Sequence, residues 1–158
     1  MYDIPYWVVW SSEIAETRLL APFYFLEEFT MGAPTDTVMI GFAAFQRGDI
    51  PAVLELFHDD VEWSYLAGPA TGTPYGGTWK GKQQVTEFFN KLAEADDILE
   101  FEPQEFLEGS EHITVLGRTK AKARSSGKLY ETRWVQVFVW RGEKIARYIG
   151  SSDTAARL

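Results

Sequence analysis

The chain has 158 residues, no cysteine, 46% apolar residues and a formal net charge of −8 at pH 7. This length and composition predict one globular domain, and the absence of cysteine excludes disulfides, thiolate metal sites and a thiol nucleophile, so the cytoplasm is the expected compartment. The acidic balance, with lysine and arginine scattered along the chain, argues against nucleic acid or a membrane surface as a partner.

The first 34 residues differ from the rest of the chain in composition. They hold eight of the 24 aromatic residues, and five acidic residues against one basic residue. They lack the basic start of a signal peptide and any apolar run of about 20 residues, so neither a signal peptide nor a membrane span is predicted. We interpret residues 1–34 as an extension: either an arm or lid that lays aromatic rings over a pocket or a partner subunit, or a start assigned too early, with the natural beginning near Met31.

Two helices are predicted at the start of the domain, which we place at residues 35–158. Apolar residues recur at three- and four-residue spacing up to Gln46, which predicts a first helix capped by Thr35 or Asp36. Asp49 is expected to cap a second, shorter helix. The domain is therefore predicted to begin with two helices joined by a Gly-Asp turn.

A strand, a loop and a third helix are predicted next. Val61, Trp63 and Tyr65 alternate with polar residues, which predicts a strand that begins at Val61 and has one apolar face. The stretch 67–78 is rich in glycine and proline and predicts a long loop of the kind that often lines binding sites. Apolar residues at helical spacing predict the third helix over 82–95.

Long extended segments make up the rest of the chain. The predicted strands cover 98–107, 113–124, 129–141 and 144–152, with hairpin turns between them. Helices first and a meander of strands afterwards are typical of an α+β fold, in which helices pack on one face of a curved antiparallel sheet. Such a sheet closes around a cavity in the shape of a cone.

Five short segments occur in the order and spacing of a known family. They are FAAFQRGD at 42–49, LFHDDVEW at 56–63, GTWKG at 77–81, GEKI at 142–145 and DTAA at 153–156. Together they resemble the SnoaL-like branch of the nuclear-transport-factor-2-like (NTF2-like) superfamily, to which polyketide cyclases and ketosteroid isomerases belong. The resemblance implies a cone-shaped α+β fold with three helices on the concave face of the sheet, and a homodimer through the outer sheet face.

The catalytic residues of these relatives are only partly matched. By position, the general-base aspartate of the ketosteroid isomerases falls on Tyr65 and their oxyanion-hole tyrosine falls on Gly41, which argues against that activity. The acid–base aspartate of the polyketide cyclases, at the end of the last strand, matches Asp153. The resemblance therefore implies Asp153 as a general acid or base, while its place before Thr154 equally suits a residue that caps a terminal helix.

The strand at 129–141 supplies candidate pocket residues. Side chains alternate along a strand, so Trp134, Gln136 and Phe138 share one face, and the resemblance places that face in the cavity. Gln136 would donate a hydrogen bond to a carbonyl group in apolar surroundings, and a buried amide bonded to the main chain fits the pattern equally. The aromatic wall of the pocket, in which some rings are simply core, is predicted to include Trp63, Tyr65, Tyr75 and Trp79.

The histidines and a run of basic residues receive other interpretations. His58, at a helix end, and His112, in a turn, are too isolated to predict a metal site. A row of alternating basic residues is expected on an outer, solvated or dimer-forming sheet face, across from glutamates of the preceding strand. The row consists of Arg118, Lys120, Lys122 and Arg124, and the glutamates are Glu100, Glu102 and Glu105.

The sequence favours a SnoaL-like enzyme that needs no cofactor or metal and acts on a small hydrophobic compound with a carbonyl group. Asp153 is the predicted general acid or base, with Gln136 and Tyr65 as polar contacts. The alternative is a non-catalytic ligand-binding or assembly module of the same fold, which the missing isomerase residues favour.

Overall fold

The computed structural model describes residues 33–67 and 72–158. Its elements are α1 (Ala33–Gln46), α2 (Ile50–Leu54), β1 (Phe57–Tyr65), β2 (Gly77–Lys80), α3 (Gly81–Ala95), β3 (Asp96–Glu108), β4 (His112–Ala123), β5 (Leu129–Arg141), β6 (Lys144–Ser152) and a 3₁₀ helix (Thr154–Arg157). The predicted extension lies outside the described residues, except for its last two, which belong to α1. Its interpretation as an arm, a lid or an early start therefore stays a prediction.

The six strands form one curved sheet in the order β2-β1-β6-β5-β4-β3. Neighbouring strands are antiparallel except β1 and β6, which run parallel and join the first long strand to the last. The predicted α+β class is confirmed, and β5 and β6 have the bounds that their alternation and turn residues predict. The helices pack on the concave face, so the core lies between them and the sheet.

The third helix forms as its apolar stripe predicts. Val85, Phe88 and Phe89 are buried on one side of α3, where they reach the concave face of the sheet. At its start the side-chain carbonyl of Gln84 accepts a hydrogen bond from the main-chain N–H of Lys80 at 2.7 Å, which satisfies a donor that the first turn leaves open. No helix in the described ranges is long and apolar enough to cross a membrane.

Strand β1 begins four residues earlier than predicted. Phe57 is paired with Ile145 of β6, and an irregularity in the register follows before Glu62. The helix α2 therefore ends at Leu54, and the prediction that His58 lies at a helix end is wrong: it lies on β1, with Nε2 bonded to the carbonyl of Arg141. Asp59 and Asp60 suggested the end of a helix. In the structure they are exposed residues of β1, at the irregularity in its pairing with β6.

Two further expectations about element ends are corrected. The loop predicted over 67–78 ends in a short strand, β2, which pairs with β1 so that Trp79 lies opposite Trp63. Neither predicted cap begins α1, because Thr35 lies inside the helix and its hydroxyl donates to the carboxylate of Glu108. A part-buried contact with Glu108 of β3 is thus present instead of the expected local cap.

The basic row on β4 meets acidic side chains of β3 on the outer sheet face. Arg118 binds Glu102 with Nε 2.7 Å from Oε2, and Lys120 lies 3.6 Å from Glu100. The predicted pairing is confirmed for these residues, whereas Glu105 lies opposite Leu116 in the register.

A glycine on β4 allows the aromatic core to close. The ring of Trp134 lies against Gly117 and stacks on Phe101 with centroids 4.8 Å apart, and its indole N–H donates to the hydroxyl of Thr119. A Cβ at Gly117 would lie 2.5 Å from Cη2 of Trp134 and would also collide with the carbonyl oxygen of Glu102. The stacking of Trp134 on Phe101 therefore depends on the absence of a side chain at Gly117.

We expect Gly117→Ala to lower the free energy of unfolding by about 1–3 kcal/mol, because both a ring and a main-chain carbonyl must move. Urea denaturation measures the change. The matched control is Gly109→Ala, where the nearest atoms to the new Cβ belong to the exposed side-chain ring of His112 and not to a buried ring or a main-chain carbonyl. Equal losses in the two variants would contradict the packing argument.

Candidate functional site

A cavity of about 120 Å³ lies between the helices and the concave face of the sheet. Aromatic rings from every layer surround it, among them Phe42 of α1, Phe88 of α3 and Phe138 of β5. An apolar core cavity of roughly 150 Å³ can hold a benzene molecule. The cavity as it stands therefore has room for one small ring.

Most of the predicted pocket residues line this cavity. The seven that do so are Trp63, Tyr65, Tyr75, Trp134, Gln136, Phe138 and Asp153. Trp79 lies outside the lining, where its ring packs on Phe88 and its indole N–H donates to the carbonyl of Tyr75 at 3.3 Å. Alternation thus grouped Trp134, Gln136 and Phe138 on one face, and the resemblance placed that face toward the cavity. Trp79 was expected in a loop, and its position on β2 outside the cavity lining became clear only from the fold.

Gln136 lies halfway along the cavity face of β5, flanked by the buried rings of Trp134 and Phe138. Its side-chain amide has no hydrogen-bond partner among the described residues. The alternative of an amide bonded to the main chain is therefore not what the structure has. The amide is available to a molecule in the cavity.

Asp153 lies at the mouth of the cavity, directly before the 3₁₀ helix. It is exposed, and its Oδ1 accepts a hydrogen bond from the main-chain N–H of Ala155 at 3.1 Å. The prediction that Asp153 caps a terminal helix is confirmed. Its role as a general acid or base stays a prediction.

The positions of the isomerase residues hold no substitute base. The hydroxyl of Tyr65 pairs with that of Ser152 at 2.6 Å, and burial raises the pKa of Tyr65 above its ordinary value. A Cβ at Gly41 would lie 3.0 Å from Leu56, so that part of α1 offers only main chain to the cavity. Tyr65 is thus a hydrogen-bonding group rather than a base at neutral pH.

A buried ion pair beside the cavity mouth was not predicted. The side chain of Asp96 is completely buried, that of Arg157 is 9% exposed, and Arg157 Nε lies 2.9 Å from Asp96 Oδ1. Tyr75 donates its hydroxyl to the other oxygen of Asp96, also at 2.9 Å. Asp96 directly follows the third helix predicted over 82–95, and Arg157 comes 61 residues later in the chain, so no local sequence pattern could connect the two.

Arg157 joins three parts of the chain at the cavity mouth. Besides Asp96, it donates to the carbonyls of Gly72 in the loop and Ala95 at the end of α3, at 3.2 and 3.3 Å. Nearby, burial together with the charge of Asp96 raises the pKa of Tyr130 to about 12, and burial raises that of Tyr75 further. Both phenols are therefore neutral donors at physiological pH.

Tyr148 on β6 also lines the cavity, and the sequence did not indicate it as a pocket residue. Its ring is stacked on that of Trp63, with centroids 3.7 Å apart and planes at 21°. Its hydroxyl has no hydrogen-bond partner among the described residues, and Tyr148 lines the cavity. Acidic and histidine side chains do not gather anywhere in 33–67 and 72–158 into a group of three that could hold a metal ion.

We expect Arg157→Met to lower the free energy of unfolding by about 3 kcal/mol or more, because it leaves the buried carboxylate of Asp96 without a counter-charge. Urea denaturation measures this loss. Arg124→Met is the control: Arg124 pairs with Asp97 at the surface, and an exposed pair contributes less than about 1 kcal/mol. Similar losses of unfolding free energy in the two variants would show that the Asp96–Arg157 pair stabilises the fold no more than an exposed pair does.

Comparison with known proteins agrees with the fold. Solved structures with a TM-score of 0.71 include an NTF2-like protein of unknown function from Burkholderia pseudomallei (29% identity, 79% of this chain, 94% of that one) and an NTF2-like protein from Burkholderia thailandensis (25%, 80% and 95%). TerC, co-crystallised with polyporic acid, has the same TM-score at 24% identity over 80% of this chain and 95% of that one. No curated protein matches significantly. Residues 41–148 match the family model of the SnoaL-like domain, so the chain belongs to the SnoaL-like family of NTF2-like proteins.

Proposed function

We propose that the cavity binds a small hydrophobic compound with a carbonyl group, and that the protein acts on it by acid–base chemistry without a cofactor. The observation that carries the proposal is the unpaired amide of Gln136 on the wall of an aromatic cavity. A polar group in such surroundings is stabilised by a hydrogen-bond partner, and a ligand oxygen is an acceptor to which the amide N–H would donate.

The size and walls of the cavity support a flat, ring-shaped ligand. The volume suits one small ring, and the aromatic side chains around it offer faces and edges for stacking. TerC, which shares the fold, is co-crystallised with polyporic acid, so a protein of this architecture accommodates a small organic compound.

Asp153 is the group that we assign to proton transfer. Among the described lining residues it is the sole carboxylate, because Asp96 is completely buried behind Tyr75 and Arg157. The cap bond uses its Oδ1, and a carboxylate has a second oxygen that can take or give a proton. The lining tyrosines are poor bases, since burial raises their pKa values.

One observation favours the alternative of a non-catalytic binding module. Asp153 is exposed and already caps a helix, Arg157 is bound to Asp96, and the other polar side chains that line the cavity are neutral. In a binding module these neutral groups would hold a ligand without changing it. The two functions differ in turnover and not in binding.

We expect Asp153→Asn to keep ligand binding and to lower turnover by about 100-fold or more, because asparagine retains the cap but cannot transfer a proton. A thermal-shift screen over hydrophobic ketones and polyketide-like carbonyl compounds identifies ligands, and product analysis on the hits measures turnover. Unchanged turnover in the variant would remove Asp153 from the mechanism. Stabilisation without turnover in the wild type would establish the binding module.

We also propose that two copies associate through the outer sheet face, as the family resemblance implies. Leu116 of β4 and Val135 of β5 lie side by side there and are 37% and 36% exposed. Charged side chains of both signs border them, so the same surface on a second copy is complementary to it.

We expect Leu116→Glu to convert a dimer into single chains, because it places a charge at the centre of the apolar contact. Sedimentation equilibrium measures the change. Ile40→Glu on the exposed side of α1 serves as the control and is expected to leave the association unchanged. A wild-type protein that sediments as a single chain would refute the proposal.

A further inference from the structure

We propose that the hydroxyl of Tyr148 is a second donor to the ligand oxygen, and that together with the Gln136 amide it forms a site for an oxygen that carries negative charge. The matching ligand class is a small phenol or enolisable ketone. The inference rests on the proposed function, because it concerns the same cavity, and it adds a binding residue and a preferred charge state of the ligand.

The position of the Tyr148 hydroxyl follows from a glycine two residues further along β6. The tyrosine ring lies along the strand, so that a Cβ at Gly150 would be 2.8 Å from Cζ of Tyr148 and would collide with the hydroxyl itself. The stack on Trp63 holds the ring from the other side. Only glycine leaves room at this position, so the hydroxyl lies directly above Gly150.

The neighbours of Gly150 in the sheet place this hydroxyl beside Gln136. Gly150 pairs with Gln136 on β5 and with Tyr65 on β1. Side chains on one face of adjacent strands start about 5 Å apart. The Tyr148 hydroxyl, above Gly150, therefore lies between the side chains of Gln136 and Tyr65. Tyr65 is already bonded to Ser152, whereas Tyr148 and Gln136 have no partner in the described chain. Two free donors thus converge on one part of the cavity.

The surroundings keep both donors neutral. Tyr148 is 3% exposed, and burial, with a smaller contribution from Tyr65, raises its pKa well above the ordinary value. Its hydroxyl therefore donates rather than ionises at neutral pH. Neutral donors fixed in an apolar cavity stabilise a negative oxygen more than a neutral one, because hydrogen bonds to charged acceptors are stronger.

The test compares two probes that differ in one oxygen. One is 4-nitrophenol at a mildly alkaline pH, at which it is ionised in solution, and the other is nitrobenzene, which has the same ring and no phenol oxygen. We expect Tyr148→Phe to weaken 4-nitrophenolate binding about tenfold or more in a calorimetric or absorbance titration. Nitrobenzene binding should change less than about twofold, because the stack on Trp63 remains.

Two further variants separate the hydroxyl from general effects on the cavity. Gly150→Ala displaces the Tyr148 hydroxyl without removing it, so we expect the same selective loss of 4-nitrophenolate binding. It also tests the proposal if Tyr148→Phe folds poorly. Thr114→Val is the control: it removes a hydroxyl from the opposite, outer side of β4, outside the cavity lining, and is expected to leave the binding of both probes unchanged within about twofold.

Three outcomes would decide against the proposal in different ways. Wild-type affinity for 4-nitrophenolate in both Tyr148→Phe and Gly150→Ala would overturn the donor site and leave the cavity and Asp153 untouched. An equal loss for the two probes would assign Tyr148 a packing role only. Failure of both probes to bind the wild type would overturn the proposed function together with this inference.

Discussion

The buried ion pair between Asp96 and Arg157 is the constraint on which the arrangement of the cavity mouth depends. A carboxylate without any exposure is costly unless a cation and hydrogen bonds surround it, so the C-terminal 3₁₀ helix must dock against the junction of α3 and β3. The same docking brings Tyr75 onto Asp96 and holds the loop through Gly72. It also places Asp153, the cap of that helix, at the cavity mouth. One electrostatic requirement thus positions the candidate acid–base residue.

Charged and neutral side chains occupy different parts of the cavity. The ionised groups, Asp153 and Arg157, belong to the C-terminal segment at the mouth, while the interior presents rings and the neutral donors of Gln136 and Tyr148. In low-dielectric surroundings fixed neutral donors need no counter-ion and still interact strongly with an oxygen that gains charge. This arrangement suits a ligand whose oxygen points inward and whose reacting carbon lies toward the carboxylate.

The sequence predicted the helices and strands that local residue patterns determine. It missed the strand segments that form because a neighbouring strand pairs with them. Alternation and turn residues located β5 and β6 with their observed bounds, and helical spacing located α3. The early start of β1 at Phe57 was missed, because the segment is polar and becomes a strand by pairing with β6. The strand β2 was missed for the same reason: its glycine-rich surroundings resemble a loop, and β1 supplies its partners.

The candidate site divides in the same way. The sequence by itself determined that Trp134, Gln136 and Phe138 share a face and that Asp153 precedes a helix, because a period of two and a cap depend on residues close together in the chain. The tertiary structure alone decided that Asp96 meets Arg157, and that the hydroxyl of Tyr148 lies above Gly150, which pairs with Gln136 in the sheet. Those contacts depend on strand register and on charges far apart in the chain, which are set when the whole core packs at once and leave no pattern among sequence neighbours.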